Sequence, residues 1–178
     1  MTEVKSPKHS VLFVCLGNIC RSTMAEIIMR ALCVDELDNW LIDSCGTSAY
    51  HIGDTPDDRT VSTCRDLLES TISKKSSDHF KSIKLHKARQ IHQDDFKNFK
   101  YIFVMDDSNL SNVQNFVNKR PELNNHTAIV TKLVVHHSTV KTNVVADPYY
   151  GGMNGFVEIY YQILDCCRNF KKSVEQQN

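Results

Sequence analysis

The segment that most constrains this chain is a continuous apolar run, Val11-Leu12-Phe13-Val14, followed within a few residues by a helical period. A strand with one face in water alternates apolar and polar side chains. A run without alternation fits a strand buried on both faces, as in the centre of a parallel sheet. Gly17 bounds the run. Met24, Ile27, Ile28, Ala31 and Leu32 then recur at the spacing of an amphipathic helix, and Thr23 with Glu26 is placed as a capping box. The chain therefore opens strand, short loop, helix.

The same pattern recurs downstream. Trp40, Leu41 and Ile42 predict a short strand ending near Asp43 and Ser44, and Val61, Cys64 and Leu68 predict a helix capped by Asp57 or Asp58. Tyr101 to Met105 is another apolar run, followed by a helix through Leu110, Val113 and Val117 that stops before Pro121. Thr127 to Val135 predicts a fourth strand. Phe156, Ile159, Tyr160, Ile163, Leu164, Cys167 and Phe170 keep helical spacing, with Lys171 and Lys172 suited to the helix C-terminus. Alternating strands and helices predict an α/β fold of three layers, a four-stranded parallel sheet with helices on both faces. At 178 residues the chain suits one domain. Its expected extent is 9–172, after a flexible N-terminal segment 1–8 and before a C-terminal tail 173–178. Ser70 to Lys84, rich in serine and lysine, reads as an exposed basic loop inserted at about 70–85.

Charge and cysteine usage exclude several functions. Lysine plus arginine total 21 and aspartate plus glutamate total 21, so no overall positive field exists to hold nucleic acid or an anionic membrane. Any anion site must be local. The cysteines number seven, an odd count, and MTEVKSPKHS lacks the apolar core of a signal peptide. No stretch is apolar for long enough to cross a bilayer. Reduced thiols and a cytoplasmic location are the expectation. No CxxC occurs, and adjacent Cys166 and Cys167 suit a tetrahedral metal poorly, so neither a metal nor another cofactor is expected.

Ligands of an open parallel sheet bind at the carboxyl ends of its strands. The loop after the first strand reads Cys15-Leu16-Gly17-Asn18-Ile19-Cys20-Arg21-Ser22. Gly17 and Asn18 tolerate the positive φ of a tight anion-cradling loop. Converging N–H groups and the positive end of the helix dipole would bind a tetrahedral oxyanion and favour negative charge on the Cys15 sulfur, making it a nucleophile. Arg21 would grip two phosphate oxygens bidentately, and the Ser22 hydroxyl would donate to the sulfur when it leaves. A phosphate-binding loop after the first strand is therefore predicted.

VLFVCLGNICRS followed by MAE closely resembles the active-site loop of the low-molecular-weight protein tyrosine phosphatases. The resemblance continues through DS and TS between Asp43 and Ser48, YxIG at Tyr50 to Gly53, ARQI at Ala88 to Ile91, MDxSN at Met105 to Asn109 and ADPYYGG at Ala146 to Gly152. It covers about His9 to Lys172. It implies Asp147 as the general acid that an aryl-oxide leaving group needs, with Tyr50, Tyr149 and Tyr150 as aromatic walls of the site. It further implies that Asn18, Ser22, Ser44 and His86 hold the loop, with Asp106 close to the histidine. Cys20 is implied to form a reversible disulfide with Cys15. Thr23 stands where the family commonly has proline, Ala49 where glycine is usual, and the basic segment before His86 replaces a short glycine-containing turn.

The implied activity is hydrolysis of phosphotyrosine in proteins by way of a cysteinyl phosphate, in a monomer or weak homodimer, with His51, Asp54 and the basic segment tuning peptide preference. Two other readings stand beside it. One is an arsenate reductase on the same fold, which needs resolving cysteines downstream; the chain offers Cys64 and the pair in the last helix. The other is a weakly active or noncatalytic phosphotyrosine-binding relative.

Overall fold

Neighbouring residues of the first strand face two different apolar cores. In the computed structural model, which describes residues 6–139 and 142–176, this strand, β1, spans His9–Cys15. Val11 and Phe13 pack on one side with Met24, Ile28, Phe156 and Ile163, whereas Leu12 and Val14 pack on the other with Phe96 and Val113. That division explains the absence of polar alternation. Both faces of the strand are covered, and period-two geometry sends each apolar side chain to one core or the other.

After β1 come α1 (Arg21–Leu32), β2 (Trp40–Gly46), α2 (Asp58–Thr71), α3 (Lys74–Ser82), α4 (Asp95–Asn98), β3 (Tyr101–Val104), α5 (Asp107–Asn118), β4 (Ile129–Lys132) and α6 (Met153–Glu175). The strands lie in the order β2-β1-β3-β4 and every pair is parallel. Val11 sits opposite Ile42 on one side and Tyr101 on the other. The chain leaves β1 for β2, then returns across it to β3, so the winding reverses at β1. Its carboxyl end is the switch point where such sheets bind ligands. Helices α1, α2, α3 and α6 share one face, and α5 covers the other.

The segment expected as an exposed basic loop is instead a helix. Ser73 caps α3 by accepting the Ser76 N–H at 3.0 Å, and the Ser76 hydroxyl donates to the Ala31 carbonyl of α1 at 2.8 Å. Ser76, Ser77 and Phe80 form its buried face. Two of those residues are serines, small enough to let α3 approach α1, so the apolar period that announces a helix is missing. Of the lysines, Lys74 pairs with Asp78 at 2.8 Å and Lys75 pairs with Asp35.

Smaller departures have local causes. Thr23 and Glu26 do not cap α1: the helix begins earlier, at Arg21, and the Thr23 hydroxyl donates to the Asn18 carbonyl at 3.0 Å. Asp57 caps α2 as expected, accepting the Arg59 N–H at 2.9 Å. The fourth strand is shorter than expected, because Leu133–His136 turn into a 3₁₀ helix. Helix α6 runs to Glu175, through the first residues of the expected tail, while residues 177–178 of that tail and residues 1–5 of the expected N-terminal segment lie outside the described residues.

Candidate active site

Between the end of β1 at Cys15 and the start of α1 at Arg21 the chain turns with a single positive-φ residue, Asn18 at 58°. Gly17, also expected there, keeps negative φ. The loop closes around the Cys15 sulfur, which accepts the Asn18 N–H at 3.3 Å and lies 3.1 Å from the Ser22 hydroxyl. Cys15 is only 3% exposed. Leu16 is exposed, whereas Ile19 and Cys20 are buried. The loop rests on the end of β2, where a Cβ on Gly46 would stand 2.7 Å from the Leu16 carbonyl oxygen. Only glycine permits that approach.

The left-handed Asn18 is held from both ends of its amide. Its Nδ2 donates to Ser22 at 3.0 Å and to Ser44 at 2.9 Å, and its Oδ1 accepts the Arg89 N–H at 3.0 Å. Ser44 in turn donates to Glu26 Oε2 at 2.7 Å, and His86 Nδ1 lies 2.9 Å from the same oxygen. Burial pushes the Glu26 carboxyl up, but bonds from His86 and Ser44 and the charges of His86 and Arg30 prevail and hold it below its ordinary value. Burial likewise pushes His86 down, but its bond to Glu26 and that carboxylate's charge prevail and raise it. The structure thus brings Asn18, Ser22, Ser44 and His86 together. Asp106 is placed differently from expectation: it caps α5, accepting the Asn109 N–H at 2.7 Å, and pairs with Arg21. The carboxylate beside the histidine is Glu26, whose i, i+3 spacing from Thr23 had suggested a cap.

Arg21 is 3% exposed. Its Nη1 donates to Asp106 at 2.5 Å and to the Val145 carbonyl at 3.1 Å, and its Nη2 donates to Asp147 at 2.9 Å. These bonds leave Nε–H and one Nη2–H, a fork suited to two oxygens of one phosphate. Asp147 Oδ1 accepts the Tyr149 N–H at 3.1 Å, so the carboxylate is fixed at both oxygens. Cys15, Arg21, Asp147, Tyr50, Tyr149 and Tyr150 line one cleft of about 280 Å³. Tyr50 and Tyr150 are 85% and 95% exposed and Tyr149 is 37% exposed, which makes Tyr149 the inner wall. His51 joins the same rim, bonded to Asp54 at 2.9 Å. No lysine of 70–85 lines the cleft among the described residues.

Gly46 and Glu26 were not legible as parts of this site. Each acts through a contact between segments far apart in the chain. The remaining thiols show no sign of activation. Burial pushes Cys20 up to about 12, with Asp57 and Cys15 adding to it, and Cys64 is wholly buried in α2 with its thiol pushed up by that burial.

A parallel sheet whose first strand delivers a cysteine into a loop with a backbone N–H on its sulfur, with an arginine opening the next helix, is the arrangement of the cysteine-dependent protein phosphatases. The sequence profile of the family described as low molecular weight phosphotyrosine protein phosphatase matches residues 10–178. The low molecular weight phosphotyrosine protein phosphatase of Dictyostelium discoideum is 51% identical over 180 residues, 100% of each chain. Among solved structures, a protein tyrosine phosphatase from Entamoeba histolytica with Hepes in its active site has a TM-score of 0.76 at 32% identity, over 95% of this chain and 98% of that one. DARP, a drosophila arginine phosphatase, has a TM-score of 0.77 at 31% identity, over 92% and 96%. The chain belongs to the low molecular weight phosphotyrosine protein phosphatase family.

Proposed function

We propose that this chain hydrolyses phosphotyrosine in proteins, and small aryl phosphates, with Cys15 as nucleophile, Arg21 as the phosphate-gripping cation and Asp147 as general acid. The observation that carries this reading is the meeting of all three in one cleft, with the sulfur already accepting the Asn18 N–H. The Cys15 thiolate attacks phosphorus while the bond to the tyrosine oxygen breaks, and Asp147 delivers its proton to that oxygen. Asp147, now a carboxylate, takes a proton from water as it attacks the cysteinyl phosphate, and the S–P bond breaks. Ser22 donates to the departing sulfur. Arg21 and the loop N–H groups stabilise the equatorial charge in both transition states.

Aromatic walls favour a planar phenyl ester over phosphoarginine, a P–N compound on a flexible chain, which the name of the drosophila relative suggests. Burial of Cys64 speaks against a downstream resolving thiol, and so against arsenate reduction. All the cysteines are free, which supports a cytoplasmic enzyme, here a monomer or weak homodimer. Cys20, on the same loop as Cys15, is its disulfide partner under oxidation; recovery of C20A after peroxide as full as that of the native protein would refute that role. The assay of function is turnover of an aryl phosphate without added metal, with phosphoarginine, and arsenate plus a thiol reductant, in parallel. Replacement Cys15→Ser should lower aryl-phosphate turnover on the order of 10⁴-fold or more while inorganic phosphate still binds. Undiminished turnover in C15S would remove the nucleophile assignment.

A further inference from the structure

Arg59 stands on the first turn of α2, outside the cleft, yet it reaches the segment that carries Asp147. Its Nη1 donates to the Tyr149 carbonyl at 3.0 Å and to the Gly151 carbonyl at 3.3 Å. Among the described residues, no other side chain donates to a backbone carbonyl between 147 and 151. The guanidinium also lies over the rings of Tyr149 and Phe156, 5.5 and 4.6 Å from their centroids. These contacts place it between the acid-bearing turn and the start of α6.

The guanidinium is itself aimed. Asp57 takes its Nε at 3.0 Å and its Nη2 at 2.8 Å, a two-pronged pair that fixes the plane of the group and turns Nη1 toward residues 149 and 151. Asp57 is tied to the phosphate loop as well: its N–H donates to the Ile19 carbonyl at 2.9 Å. The path is short and continuous. It runs from the loop that surrounds the nucleophile, through Asp57 and Arg59, to the backbone two residues beyond Asp147. At the other end of that turn, the Tyr149 N–H holds Asp147 Oδ1.

We propose that Arg59 is a positioning residue for the reaction: oriented by Asp57, it clamps the backbone of residues 149–151 so that the Asp147 carboxyl stands at the leaving-group oxygen. This rests on Asp147 being the general acid. Proton delivery is the step most sensitive to such placement, because the carboxyl must lie within hydrogen-bond reach of an oxygen that moves as the ester breaks. Lysine cannot replace the clamp. A single ammonium does not hold Asp57 bidentately and two carbonyls at once.

The test compares kcat/KM for para-nitrophenyl phosphate, whose leaving group departs readily without a proton, with that for phenyl phosphate, whose leaving group needs one. Native protein, R59A, R59K, D147N and R59A/D147N are measured, with thermal melts and inhibition by inorganic phosphate alongside. R59A and R59K should lose about 10- to 100-fold on phenyl phosphate and much less on para-nitrophenyl phosphate, with phosphate affinity unchanged. D147N should show the same selective loss, larger, and adding R59A to it should cost nothing more. If R59A does not fold, R59K carries the comparison. An equal loss on both esters, or an undiminished Arg59 effect in the D147N background, would overturn the clamp and leave Asp147 as the acid. Absence of selective loss in D147N would overturn the acid assignment, and the clamp with it.

Discussion

Replacing Glu26 by glutamine tests whether the buried pair beneath the phosphate loop supports the fold. Glu26 is 6% exposed and its carboxylate meets His86, Arg30 and Ser44. The amide removes the charge and turns an NH₂ toward at least one of these donors. Breaking one partner of a buried ion pair costs about 3–5 kcal/mol, and the partly exposed His86 places E26Q near the lower figure. About 3 kcal/mol lowers the folded-to-unfolded ratio roughly 100-fold, and with a urea slope of about 2 kcal/mol per molar the midpoint falls by about 1.5 M. The loss should vary with pH in a definite way. His86 is raised above its ordinary 6.5, so its contribution is complete below 6.5 and fades as pH climbs through the raised value. Glu26 is held below its ordinary 4.5, so its contribution is complete above 4.5 and fades as pH falls through the lowered value. Urea titrations of native protein and E26Q across this range should therefore differ most between pH 4.5 and 6.5, and less on either side. A difference that stays constant as pH rises past the histidine would refute the ion pair as its source.

Phe80→Ala examines the segment whose helix the sequence concealed: Phe80 is 6% exposed, so truncation should cost about 3–5 kcal/mol, against about 0.5 kcal/mol or less for a solvated loop; chemical denaturation distinguishes the two. Gly46→Ala puts a methyl group 2.7 Å from the Leu16 carbonyl oxygen and 3.2 Å from the Asn18 nitrogen. A loop displaced by about 1 Å should lose on the order of 100-fold in kcat/KM, with weaker inhibition by inorganic phosphate, and native kinetics in G46A would show that the loop has room.

The central part of the site was legible because its residues are neighbours in the chain. Cys15, Asn18, Arg21 and Ser22 lie within eight residues at the junction of two strongly patterned elements, β1 and α1, and their chemistry follows from residue type and position. Asp147 and the tyrosines became legible through likeness to a family, since Asp147-Pro148 alone reads as a turn. Other parts had no local signal. Glu26 looked like half of a capping box, although its carboxylate instead spans from α1 to β2 and to His86. Asp106 was expected beside the histidine and is bonded to Arg21. Its position next to α5 made it a cap, and the direction of that helix carried its other oxygen to the guanidinium. Helix α3 was hidden because serines occupy its buried face.

Sequence alone determined most of the alternation of strands and helices, burial of the first strand on both faces and the grouping of Cys15, Asn18, Arg21 and Ser22 at one strand-to-helix junction. These depend on periodicity and on residues close together in the chain, where the pattern is itself the physical cause. Tertiary structure decided which distant residues meet. The reversal of winding at β1 brings the loops after β1 and β3 together, so that Asp106 reaches Arg21. Packing of α2 beside α6 carries Arg59 to the turn that bears Asp147. Such pairings depend on how the layers close over the sheet, and a carboxylate or guanidinium in the chain carries no mark of the partner it will find.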